Sequence, residues 1–130
     1  MPEASILVVD DLPAWRARVQ SILRARPEWE PIYEACDGLQ AVEMANELSP
    51  DIVLLDIGMP RLNGIEAARQ IRLAGLRSKI IFLTQENDAD IRETALSTGA
   101  EAYLLKVNVG RQLLPAIEAA LRNGHLEPAH

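Results

Sequence analysis

The chain predicts an α/β fold, a doubly wound sheet of five parallel strands carrying five helices. Short apolar runs at residues 5–9, 52–55, 79–83 and 102–105 alternate with segments whose apolar residues recur at helical spacing. That alternation is the pattern of repeated βαβ units. The run at 52–55 is Ile-Val-Leu-Leu, with no polar alternation, as a central strand covered by helices on both faces must be. Polar residues end the runs: Asp10-Asp11, Asp56, Thr84 and Lys106. In parallel strands those ends share one edge of the sheet, where open α/β sheets bind ligands.

The first strand, 5–9, leads into a helix with the face Leu12, Trp15, Val19, Ile22 and Leu23. A second strand spans 30–35, with Ile32 alternating against Glu34. It contains Pro31, which cannot donate to a ladder and confines the strand to a sheet edge. Leu39, Val42, Ala45 and Leu48 mark the second helix, stopped by Ser49-Pro50. After strand three, the turn residues Met59-Pro60 and Asn63-Gly64 lead into a helix carrying Ile65, Ala68 and Ile71. Strand four is followed by a helix over 88–97, with Gly99 as its C-terminal signal. Strand five precedes a last helix carrying Leu114, Ile117, Ala120 and Leu121, closed by Asn123-Gly124. Right-handed crossovers leave few arrangements for such a chain. With strand two at an edge, the order 2-1-3-4-5 follows, the flavodoxin-like order with its switch point between strands one and three. One domain is expected over residues 1–124, with a short polar tail at 125–130 and no output domain.

A length of 130 residues suits a single core. The formal net charge of −6 argues against binding a phosphate backbone. Arg16, Arg18, Arg24 and Arg26 read as a solvated helix face rather than a nucleic-acid patch. The single cysteine, Cys36, excludes an internal disulfide and reads as a small buried side chain. There is no secretory signal pattern, and no apolar run approaches the length of a membrane span. A cytoplasmic protein is the expectation.

The polar edge carries the chemistry. Asp11 before Leu12-Pro13 would serve as a helix N-cap, but capping leaves Asp10 unexplained. Three carboxylates held together repel one another unless a cation joins them. Oxygen ligands at a partly open site suit Mg²⁺, which takes one or two carboxylates together with water and phosphate. Lys106 and Thr84, set opposite, could hold the equatorial oxygens of a phosphoryl group. No His, Cys or Ser is placed to attack, so Asp56 is the candidate nucleophile, giving an acyl phosphate.

These stretches, in this order, resemble the receiver domain of a bacterial two-component response regulator. The matching residues are Val8-Val9-Asp10-Asp11, then 51–60 from Asp51 through Asp56 to Pro60 with Asn63-Gly64, then Ile81 to Thr84, and Gly99 to Lys106. The resemblance spans residues 4–122. It implies that Asp56 is the phosphoacceptor, and that Asp10, Asp11, Asp56 and the backbone carbonyl of Gly58 hold Mg²⁺. It also implies that Lys106 pairs with the phosphoryl group, that Thr84 hydrogen-bonds it, and that Tyr103 is the aromatic switch residue. Packing of an edge-strand aromatic on a helix is the plainer reading of Tyr103. Val107 stands where many receivers have proline, and Gln85 where many have a small residue. Val107 and the segment 113–122 are similar to receivers of the helix-turn-helix transcription-regulator subfamily.

The resemblance implies a phosphorylation-driven switch with a sensor histidine kinase as donor and a homodimer as one outcome. It would assist its own phosphoryl transfer and hydrolysis without being a turnover enzyme, and this domain alone would bind neither nucleic acid nor membrane, whether it stands alone or belongs to a longer transcription regulator with a C-terminal DNA-binding domain. A phosphorylation-independent scaffold is the alternative. An Asp-nucleophile phosphatase fits less well, because the acidic pair is adjacent and no cap segment is left over. Flavin binding fits the fold but not the acidic first turn.

Overall fold

Five parallel strands pair in one sheet, and their register decides which side chains meet at its edge. The computed structural model describes residues 4–123. Strands are Ile6–Val9 (β1), Ile32–Ala35 (β2), Ile52–Leu55 (β3), Lys79–Thr84 (β4) and Ala102–Leu105 (β5). Helices are Pro13–Leu23 (α1), Gly38–Leu48 (α2), Gly64–Leu73 (α3), Ala89–Leu96 (α4) and Val109–Asn123 (α5), with a 3₁₀ turn at Lys106–Asn108 before the last. The sheet order is β2-β1-β3-β4-β5. The fold is the expected flavodoxin-like one; the expected tail at 125–130 lies outside the described residues.

Period-two alternation sorts the strand residues into two cores. Ile6, Val8, Ile52, Leu54, Ile81 and Leu83 face one core, with Val19, Leu23, Leu113 and Ile117 from α1 and α5. Leu7, Val9, Val53, Leu55, Ile80 and Phe82 face the other, with Ala41, Ala45, Ala67, Ile71 and Ala95 from α2, α3 and α4. β1 and β3 are buried along their whole length, which is why their sequence shows no polar alternation. Pro31 lies just before β2, an edge strand, and its carbonyl accepts from Ile6 N at 3.0 Å.

Several helix faces depart from the expected ones. Leu12 is the N-cap of α1 and about half exposed, not part of its buried face. In α2 the buried residues are Gly38, Ala41 and Ala45, while Leu39 is exposed. Small residues are needed there because α2 presses on the loop after β3: a Cβ on Gly38 would lie 2.0 Å from the Leu62 carbonyl oxygen. In α5 Val109 and Leu113 join Ile117 and Ala120 in the core, and Leu114 is half-buried. Cys36 is exposed rather than buried, since it follows the last residue of β2, where Ala35 takes the inward position. Arg18 and Arg24 are solvated as expected, whereas Arg26 pairs with Glu118 and covers the Trp29 ring.

Candidate functional site

The parallel register brings β1 and β3 to an end side by side. Val9 pairs with Leu55, and Asp56 N donates to Val9 O at 3.1 Å, so Asp10 and Asp56 emerge as neighbours. Both are buried. Thr84 ends β4 beside Leu105 in register, one residue short of Lys106. The lysine side chain is long enough to cross β4, and its Nζ reaches Asp10 Oδ2 at 2.7 Å and Asp56 Oδ2 at 3.2 Å. Asp10, Asp56 and Lys106 therefore form a buried ion cluster, and Asp11 stands half-buried at its rim.

Asp11 does not cap α1. The N-cap is Leu12, which has no side-chain cap bond. Asp10 takes that place in part, since its Oδ1 accepts from Leu12 N at 2.9 Å. Asp11 is left with no capping duty. One carboxylate oxygen from each of Asp10, Asp11 and Asp56 lies within 4.8 Å of the others. An all-oxygen donor set at a partly open rim fits a hard divalent cation. Burial pushes the Asp10 carboxyl above its ordinary value, and Asp56 adds to the rise, while the hydrogen bonds from Lys106 and Leu12 N oppose it. Net, the environment disfavours the Asp10 charge, the condition that a cation would relieve.

The remaining predicted residues surround this cluster. Gly58 sits in the loop after β3, exposed and with open space where a Cβ would stand. Gly64 does the opposite: a Cβ there would lie 1.9 Å from the Asp56 carbonyl oxygen, so α3 is seated directly on the backbone that carries Asp56. Asn63 caps that helix, its Oδ1 accepting from Glu66 N at 2.9 Å. Thr84 is buried, and its hydroxyl oxygen accepts from Glu86 N at 3.2 Å. Tyr103 donates its hydroxyl to Glu86 O at 2.7 Å, with its ring tilted on Phe82 at 6.2 Å. Thr84 and Tyr103 thus grip the same residue from its N–H and its C=O. Burial raises the Tyr103 phenol above its ordinary value.

Two residues at the site and one in the loop after β3 escaped the sequence reading. Trp15, assigned to a packing face, has its ring 4.8 Å from Lys106 Nζ. Arg16, assigned to a solvated face, donates to the Asp10 carbonyl at 2.7 Å and to Glu34 at 2.6 Å. Arg61 adopts φ 71° and donates to buried Asp37 at 3.1 Å, tying the loop after β3 to the N-terminus of α2. Trp15 and Arg16 lie within the first turns after the acidic pair, the one signal that could have marked them. Nothing local marks Arg61, whose partner lies 24 positions away.

The sequence and the fold are matched by known proteins. A model of the response regulator receiver domain family matches residues 6–118, and the chain belongs to that family. The nitrate/nitrite response regulator protein NarL of Escherichia coli (strain K12) is 37% identical over 117 residues, covering 90% of this chain and 54% of NarL. The transcriptional regulatory protein LiaR of Bacillus subtilis (strain 168) is 40% identical over 115 residues, covering 88% and 54%. The chain thus spans about half the length of these curated relatives. Among solved structures, a LuxR-family two-component response regulator from Aurantimonas sp. SI85-9A1 superposes with TM-score 0.87 at 33% identity, over 93% of this chain and 86% of that one. The response regulator domain of Thermotoga maritima CheB gives 0.81 at 34%, over 96% and 98%. Among the described residues no helix is long and apolar enough to cross a membrane.

Proposed function

We propose that this receiver is a phosphoacceptor switch in which Asp56 takes a phosphoryl group from a sensor histidine kinase. The observation that carries the reading is the buried cluster of Asp56, Asp10 and Lys106 at the C-terminal edge of the sheet. A carboxylate oxygen of Asp56 attacks phosphorus, the P–N bond to the donor imidazole breaks, and the nitrogen keeps that electron pair. Asp10, Asp11, Asp56 and the carbonyl of Gly58 would hold Mg²⁺, which when bound neutralises charge on the phosphoryl oxygens. Lys106 supplies a second positive charge, and Thr84 supplies a hydroxyl. Hydrolysis of the acyl phosphate returns the switch, so the chain assists its own chemistry without turning over an external substrate.

Tyr103 and Thr84 share Glu86 as partner. A pull on Thr84 by a phosphoryl group would reach Tyr103 through that shared residue and change the surface around β5, α4 and α5. The changed surface would favour self-association or a partner. Relatives named as transcriptional regulators support a transcriptional output. A cytoplasmic domain is the location such a donor would require.

The test is intact mass after incubation with Mg²⁺ and phosphoramidate. The expected result is one added phosphate on wild type and none on Asp56→Asn. Equal labelling of both proteins would remove Asp56 as the acceptor. A beryllofluoride-occupied protein with unchanged sedimentation and hydrogen exchange would favour the scaffold reading over the switch.

A further inference from the structure

We propose that Trp15 is a positioning residue for Lys106, its indole face holding the ammonium at the phosphoryl-transfer site; the inference rests on the reading of Asp56 as acceptor. The Lys106 side chain is 3% exposed. Its ammonium carries three donors; Asp10 at 2.7 Å and Asp56 at 3.2 Å take two of them. The Trp15 ring centre lies 4.8 Å from Nζ. Tryptophan is the best of the aromatic faces for a cation, and the attraction grows as the pair is desolvated.

Packing restrains the half-buried ring. Trp15 is in the first turn of α1, its backbone N–H donating to Leu12 O at 3.0 Å, and its side chain packs against the core that holds β1 and α5 residues. Its attraction for the ammonium also differs in kind from that of the carboxylates. Asp10 and Asp56 are members of the candidate cation cluster, so a bound divalent ion would draw on the same oxygens that hold Lys106 and would repel its like charge. The indole is not a ligand for a hard cation and carries no charge for it to cancel. It therefore keeps Lys106 near the reacting oxygens when the carboxylates are shared. A leucine would keep an apolar contact with the core, though it is smaller than the indole, and would offer the ammonium nothing.

Two measurements on the intact chain decide the point. The first is the rate of phosphoramidate labelling for wild type, Trp15→Phe, Trp15→Leu and a series with one to four ring fluorines on Trp15. Fluorination drains the ring face of its negative potential with little change of shape. Labelling is expected to slow stepwise along the series, and in Trp15→Leu by about tenfold, while Trp15→Phe keeps most of the rate. The second is the Lys106 side-chain methylene resonance in lysine-labelled protein, assigned through Lys106→Arg. Ring current should shift it upfield in wild type, and Trp15→Leu should abolish the shift. A fluorine series with a flat rate, or an unshifted Lys106 resonance, overturns the proposal even if Trp15→Leu is poorly folded. A wild type that takes no phosphoryl group at all would instead defeat the acceptor reading, and the resonance would still decide whether the indole holds the ammonium.

Discussion

Lys106→Met should destabilise the metal-free protein and make it more dependent on a divalent cation. Lys106 is buried between Asp10 at 2.7 Å and Asp56 at 3.2 Å. Methionine fills a similar volume but leaves two buried carboxylates facing each other without a counter-charge. Removing one partner of a buried ion pair costs about 3–5 kcal/mol. The low end applies, because the half-buried Asp11 marks an edge open to water. A loss of about 3 kcal/mol at pH 7 lowers the urea midpoint by roughly 1.5 M at a slope near 2 kcal/mol per M. The pH dependence has a definite sign. Asp10 already titrates above its ordinary value of 3.8, and Lys106 opposes that rise. Without Lys106 the folded-state value climbs further. A carboxyl raised in the folded state loses stability as pH rises from its unfolded value through its folded one. The gap between wild type and Lys106→Met should thus be small below about pH 3.8 and widen toward neutrality. Saturating Mg²⁺ should stabilise the variant more than wild type, since the ion supplies the missing charge. Urea titrations in EDTA and in Mg²⁺ check both effects. Equal midpoints for the two proteins in EDTA at pH 7 would refute the argument.

Gly58 in the loop after β3 and Gly64 at the start of α3 should respond differently to alanine. Gly64→Ala forces a methyl into the Asp56 carbonyl, 1.9 Å from the Cβ position, and should cost roughly 1–3 kcal/mol or more by overpacking; Gly58→Ala meets nothing within 4 Å and should stay within about 0.5 kcal/mol of wild type. Thermal melts compare them, and equal losses would contradict the close seating of α3. Asp37 caps α2 through Gln40 N at 2.8 Å, and that bond, with Arg61, holds its carboxyl below the ordinary value. Asp37→Ala should cost about 1 kcal/mol at neutral pH. The stability from a depressed carboxyl is present above its unfolded value and is lost as pH falls through its folded one, so the difference should vanish in acid. A gap that persists unchanged however far the pH is lowered within the folded range would show that packing, not the ionised cap, is responsible.

Local pattern carried a large share of this fold. Fully apolar strands identified a covered parallel sheet, Pro31 identified the edge strand, and polar residues at the strand ends marked the candidate ligand edge. These signals are local because burial on both faces leaves its mark on every residue of a short strand. Helix faces were read less well. Large residues such as Leu39 and Leu12 suggested the inward side, but the space beneath α2 admits only Gly38, Ala41 and Ala45. How closely two elements approach depends on both partners, and a single helix sequence carries only one.

The residue types at the site were legible for the same reason as the strands: three carboxylates, a hydroxyl and an ammonium at equivalent ends of parallel elements admit few chemistries. What each side chain does was decided by the tertiary structure. Register placed Asp10 beside Asp56, freed Asp11 from capping, and let Lys106 reach across β4. It also brought the face of Trp15 to Lys106, 91 positions further along the chain, and Arg61 to Asp37. Hydrogen bonds, ion pairs and ring contacts act over a few ångströms, and only the folded backbone sets which distant residues come that close.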